Sequence, residues 1–163
     1  MLRNLNATRK GLITALLMTG LSFLLYYAKL SFDSPFQYII YIVYAAGIVW
    51  TLLDFSRSGE HSNKFGSFFL QGFKCFIVVT LVMVVYTFIF NKLHPEFKDL
   101  MVLDYKKDMI SKGNTTPAEI ETNIAKAKDY YDVVLLSGAV FGYLIIGAVV
   151  TALTSLLIRK RNG

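Results

Sequence analysis

Residues 133–158 read VVLLSGAVFGYLIIGAVVTALTSLLI, and Arg159-Lys160-Arg161 follow at once. The run contains no Asp, Glu, Lys, Arg or His. A helix rises ~1.5 Å per residue, so ~20 apolar residues cross the ~30 Å hydrocarbon core of a bilayer. A helix in a soluble core would show a polar face over such a length, and this one shows none. The run therefore reads as a transmembrane helix stopped by a basic cluster. It is longer than a straight crossing needs, which predicts tilt or a projecting first turn.

Three more apolar runs precede it, 11–28 and 36–53 without a charge and roughly 68–90 with one, marking spans expected at about 11–29, 36–54 and 68–91. The first follows Arg3, Arg9 and Lys10. It exceeds a secretory signal core, and Tyr26 spoils a small-residue cleavage site, so a retained signal anchor is expected. The second is entered through Asp33-Ser34-Pro35. Proline suits a helix start, where its missing N–H has no partner to lose, and the tight loop before it predicts an antiparallel pair of spans. The third carries Gln71 and Lys74 near its start, where a lysine snorkels to the interface. The expected fold is all-α: one polytopic membrane domain over residues 1–163, with four transmembrane helices and an amphipathic helical hairpin at 92–132 on the outer face.

Orientation follows from the basic residues of the short segments. With the N-terminus inside, Arg3, Arg9, Lys10, Arg57, Lys64, Lys74 and Arg159–Arg161 all fall on the cytoplasmic side, leaving only Lys29 in the short outer loop. Lysines of the 92–132 segment run against this, but they are mixed with carboxylates in a longer loop, where the rule loses force. Both termini are expected in the cytoplasm of a bacterial inner membrane. Tyr26, Tyr27, Phe36 and Tyr38 gather at the outer end of the first two spans, and Trp50 and Phe55 at the inner end, as interfacial rings do.

The 92–132 segment reads as two helices. Phe97, Leu100, Met101, Tyr105 and Met109 recur at three- and four-residue spacing, and Gly113 supplies a stop. Thr116-Pro117-Ala118-Glu119 is a capping box with proline at the first helical position. Ile120, Ile124, Ala127 and Tyr131 then share a face, and nothing before Ser137 breaks the helix, so it is expected to run into the fourth span. Phe97, Met101, Tyr105, Ile120, Ile124 and Tyr131 are the residues expected to meet either the headgroups or a protein partner.

Reactive chemistry is hard to find. The net charge of +6 and pI of 9.4 reflect cytoplasmic anchoring rather than nucleic acid, since no stretch interleaves basic residues with exposed rings. Cys75 is alone, and His61 and His94 fall on opposite sides of the membrane, so no metal, disulfide or cofactor is expected. Asp104 and Asp108 flank Lys106 and Lys107 and read as a solvated face. Asn114-Thr115-Thr116 matches a glycosylation sequon, but the capping role of Thr116 already explains it. Gly138, Gly142, Gly147, Ala148 and Ala152 form a small-residue seam for close helix packing. Hydroxyls of Tyr41, Tyr44, Thr80, Tyr86 and Thr87 are expected to bond across helices. Asp54 and Lys74 are expected to pair at the cytoplasmic rim.

Several stretches resemble a family catalogued as domain of unknown function 4199. They are Lys10-Gly11-Leu12-Ile13, the Phe65-Gly66-Ser67-Phe68-Phe69-Leu70-Gln71-Gly72-Phe73-Lys74 run, His94-Pro95-Glu96-Phe97, the hairpin start at Thr116 to Ile120, and the basic tail. The resemblance implies a four-span inner-membrane protein of Bacteroidota envelopes with no assigned activity, encoded near a polyprenyl-phosphate-type glycosyltransferase. It implies no site residues. Residues and resemblance together predict a non-enzymatic accessory subunit that contacts the lipid bilayer and another envelope membrane protein. A small transporter or channel is the alternative, and an interfacial lipid-modifying enzyme a more distant one.

Overall fold

A computed structural model describes residues 6–28, 37–58 and 64–161. Five helices account for nearly all of them: α1 (Ala7–Tyr27), α2 (Gln37–Arg57), α3 (Phe65–Leu93), α4 (Glu96–Lys112) and α5 (Pro117–Arg161), with no strand among the described residues. Four of the helices, α1, α2, α3 and α5, are long and apolar enough to cross a membrane. The all-α, four-span architecture is as the sequence predicts. The expected loop at 29–34, Pro35, Arg3, Lys29 and His61 lie outside the described residues.

Helix α1 begins before its apolar run, α2 ends beyond its own, and α3 exceeds its run at both ends. Asn6 caps α1, its side-chain oxygen accepting from the Arg9 N–H at 3.0 Å. A cap at this position satisfies an N–H that the first turn would otherwise leave bare. It also draws Arg9 and Lys10 into the helix. Helix α2 likewise continues through Asp54 to Arg57. Arg9, Lys10 and Arg57, assigned to flanks, thus stand in helices.

The helices fall into two compact units, Met1–Met83 with Val140–Gly163, and Val84–Ala139. In the first, each helix buries one narrow stripe. The stripes are Lys10, Thr14, Ala15 and Met18 on α1; Tyr44, Ile48, Thr51 and Leu52 on α2; Phe68, Cys75, Phe76, Val79 and Met83 on α3; and Thr151, Ser155 and Ile158 on α5. The spacing of three and four residues is that of one helical face. Leu16, Leu17, Leu24, Ile42, Leu81, Ile145 and Leu153 point away from the bundle, which is the disposition lipid requires.

In lipid no hydrophobic force draws helices together, so association rests on close fit and on hydrogen bonds. Glycines supply the fit. A Cβ on Gly147 would fall within 2.7 Å of the Phe76 ring and against the Tyr44 hydroxyl, and one on Gly11 within 2.6 Å of the Cys75 carbonyl oxygen. Gly47 and Gly72 lie as tightly against Thr14 and Thr151. Tyr44 supplies a hydrogen bond between helices, its hydroxyl donating to the Tyr143 carbonyl at 2.9 Å. Thr80 instead bonds its own helix, at the Phe76 carbonyl.

The second unit holds the end of α3, all of α4 and the start of α5. Two residues, His94 and Pro95, separate α3 from α4, and Phe90, His94 and Phe97 pack their rings within 4.6–6.0 Å at that corner. Gly113 ends α4 in the left-handed region, at φ 65°, where a Cβ would be strained. The capping box forms as predicted. The Thr116 N–H donates to the Glu119 carboxylate at 2.9 Å, and the Glu119 N–H reaches the Thr116 hydroxyl at 3.4 Å. Those donors, the Thr116 backbone N–H first and its hydroxyl second, hold the Glu119 carboxyl below its ordinary pKa. From this cap α5 runs unbroken to Arg161, as expected.

Candidate functional site

Within the first unit the polar groups of the bundle gather near Lys10. Its side chain is 3% exposed and its ammonium binds the Asp54 carboxylate, itself 14% exposed. The same ammonium sits 5.4 Å over the Trp50 ring, a cation–π contact. One turn on, the Thr14 hydroxyl donates to the Lys10 carbonyl at 2.9 Å. The Thr51 hydroxyl donates to the Gly47 carbonyl at 2.9 Å and lies 3.4 Å from the Cys75 sulfur. Three helices thus contribute to one polar cluster.

The ion pair corrects an expectation. Asp54 pairs with Lys10 and not with Lys74, which is exposed. The reason is angular. Lys10 precedes Thr14 and Met18 by four and eight residues and shares their buried face, whereas Lys74 sits one step off the Cys75 face. A signal for this existed in the Asn6 cap and the spacing, and reading Lys10 as a flank concealed it.

Thr151 and Ser155 are fully buried, and neither hydroxyl has a hydrogen-bond partner among the described residues. Both stand in a helix, where rotation about χ1 brings a hydroxyl to the carbonyl one turn back. They require no ligand. No group of three or more His, Cys, Asp or Glu able to hold a metal occurs among the described residues.

The expected glycine seam is placed only in part. Gly147 lies at a close helix contact, with Ala148 and Ala152 half-buried beside it. Gly138 and Gly142 meet nothing within 4 Å. The tight row of α5 is Gly147, Thr151 and Ser155, spaced by four. Within this chain the close contacts of α5 fall at Gly147 and Thr151, one and two turns beyond Gly142.

In the second unit α4 packs antiparallel to the start of α5. Asp99 pairs with Lys128 at 3.8 Å and Lys98 lies 5.7 Å over the Tyr131 ring. At the α3 end, the Tyr131 hydroxyl donates to the Asn91 side-chain carbonyl at 3.0 Å, and Lys92 meets Asp132 at 3.6 Å. Of the residues expected to meet a partner, Phe97, Ile120 and Tyr131 are buried and form the hairpin's own core with Val102 and Met109. Ile124 is half-buried. Met101 and Tyr105 are exposed. Leu100, which the spacing placed on this face, is exposed, as are Leu103 and Ile110. Asp104 and Asp108 pair with Lys107 and Lys112 along the helix, a solvated arrangement as expected.

The combination of four apolar spans and a capped, self-packed hairpin defines a multi-pass membrane protein. The chain matches the family described as Protein of unknown function (DUF4199) over residues 9–160 and belongs to that family. No curated protein and no solved structure matches it at significance.

Proposed function

We propose that this chain is a non-enzymatic accessory subunit of a membrane complex in the bacterial envelope. In this reading it spans the inner membrane with both termini in the cytoplasm, and α4 and the start of α5 stand on the outer face. The observation that carries it is the hairpin. It is a capped, ion-paired helical element whose own core is complete, and it still presents Leu100, Leu103 and Ile110 to solvent at 48–57% exposure. Apolar side chains kept in a row outside the spans mark an interaction surface. The resemblance to a family of Bacteroidota envelopes encoded near a polyprenyl-phosphate-type glycosyltransferase supports the helper of such an enzyme as one form of this role.

Extraction of native membranes in mild detergent should recover the chain with a stoichiometric partner; a lone monomer under several extraction conditions defeats the proposal. The orientation has its own check. A periplasm-active reporter inserted at Asn114 should be active and one fused after Gly163 silent, and the reverse result inverts the topology. The buried Lys10–Asp54 pair favours a second reading, a small transporter or channel, because ionisable groups between membrane helices line pathways. That reading requires a solute flux that Asp54→Asn abolishes in a chain that still folds.

A further inference from the structure

Helices α3 and α5 pack antiparallel in the first unit, and their register is constant. A Cβ on Gly72 would meet Thr151, and one on Gly147 would meet the Phe76 ring, so four residues forward on α3 match four back on α5. One turn beyond Gly72 and Thr151 stand Phe68 and Ser155, both fully buried. One turn further the series ends at Lys64, next to the first residue of α3, and at Arg159, with Lys160 beside it. All three side chains are exposed. The two packed rows therefore finish on cations at the same end of the bundle.

No described residue neutralises them. Among the described residues of this unit Asp54 is the single carboxylate, and it binds Lys10. Lys64, Arg159 and Lys160 form no ion pair among the described residues. The α5 C-terminus supplies only about half a negative charge. Space is free beside them, since a Cβ on Gly66 would meet nothing within 4 Å. The depth is that of lipid headgroups, because the uncharged run of α5 stops at Ile158 and the apolar run of α3 begins one turn after Lys64. Leu70 on α3, with Leu156 and Leu157 on α5, are 51–69% exposed near these ends. They give acyl chains a surface that a soluble anion would not use.

We propose that Lys64 and Arg159, with Lys160, bind the phosphate of an anionic phospholipid at the ends of α3 and α5, its acyl chains lying on Leu70, Leu156 and Leu157. The Arg159 guanidinium can donate two parallel N–H bonds to a phosphate, and the Lys64 ammonium adds a point charge. Each cation beside a net negative headgroup raises affinity about fivefold, which a zwitterionic headgroup with its own ammonium does not return. The site requires only the four-span architecture, and neither the orientation nor the accessory role.

The test is native mass spectrometry of the full chain in mild detergent, titrated with phosphatidylglycerol or with phosphatidylcholine of the same acyl chains. One phosphatidylglycerol should bind at least about tenfold tighter than phosphatidylcholine. Lys64→Gln with Arg159→Gln should remove that preference. Its thermal stability in phosphatidylcholine nanodiscs should match the parent, which separates lost binding from lost folding. If this double variant unfolds, each single change should still lower the preference about threefold or more, and no effect of either overturns the site. Arg9→Gln with Arg57→Gln removes the same charge beside the Lys10–Asp54 pair and should leave the preference within about twofold. Equal binding of the two lipids, persistence of the preference in the Lys64 and Arg159 double variant, or an equal loss in the Arg9 and Arg57 variant each overturns the proposal. So does displacement of the lipid by soluble glycerol 3-phosphate at equal concentration, which would make this a site for a free phosphate ester.

Discussion

Asp54→Asn is expected to destabilise the bundle by about 3–5 kcal/mol, because it strands the Lys10 ammonium between helices without its counter-charge. The amide keeps the shape of the carboxylate, so the loss is electrostatic and not steric. Lys10→Met should cost a similar amount by stranding the Asp54 carboxylate. The double variant Lys10→Met with Asp54→Leu should recover most of the loss, since apolar side chains of comparable volume need no partner. Lys74→Met should stay within ~0.5 kcal/mol of the parent, as changes at exposed positions do. Unfolding in mixed micelles of mild and denaturing detergent measures all four. A large cost at Lys74 with none at Lys10 would return the pair to the partners suggested by proximity in sequence to the rim. The same series separates the two functional readings, because the transporter reading needs Asp54→Asn to remain folded.

The second large effect concerns glycine. Gly147→Leu should destabilise the extracted protein by at least about 1–3 kcal/mol, the usual range for overpacking a filled interior. Its first added carbon already falls within 2.7 Å of the Phe76 ring, so the remaining three have nowhere to go without parting helices. Gly138→Leu and Gly142→Leu should change stability by under ~0.5 kcal/mol, since a Cβ at either position meets nothing within 4 Å. Thermal loss of the monodisperse peak on size exclusion compares the three. Equal damage at positions 138, 142 and 147 would show that the Gly-x-x-x-Gly face is a packed interface after all.

Much of the architecture was legible because its causes are local. Four long apolar runs, the Thr116–Glu119 capping box, the Gly113 stop and the unbroken passage into α5 depend on residues within a turn or two of each other. Their physics is complete in the sequence. The candidate site was legible only as a set of residue types. Asp54 was singled out correctly as an acid that needs a partner, but Lys10 lies 44 positions away and Lys74 only 20. Gly138, Gly142 and Gly147 were all assigned to the seam, and of the three only Gly147 meets neighbouring atoms within 4 Å. On the hairpin, Phe97 and Leu100 looked alike as apolar residues at helical spacing, and one is core while the other is surface.

The amphipathic hairpin shows where the line falls. Its existence, its caps and the three- and four-residue spacing of its apolar residues were set within the sequence, because helix ends and periodicity arise from hydrogen bonds and geometry within one segment. Which side of α4 is spent on α5, and which is left exposed, was decided only by the tertiary structure. A helix with apolar residues on more than one side has several ways to pack. The choice among them rests on non-local contacts such as Asp99 with Lys128 and Lys98 with Tyr131. The Lys10–Asp54 pair follows the same rule: the sequence supplied two charges, and only the rotation of α1 against α2 brought them together.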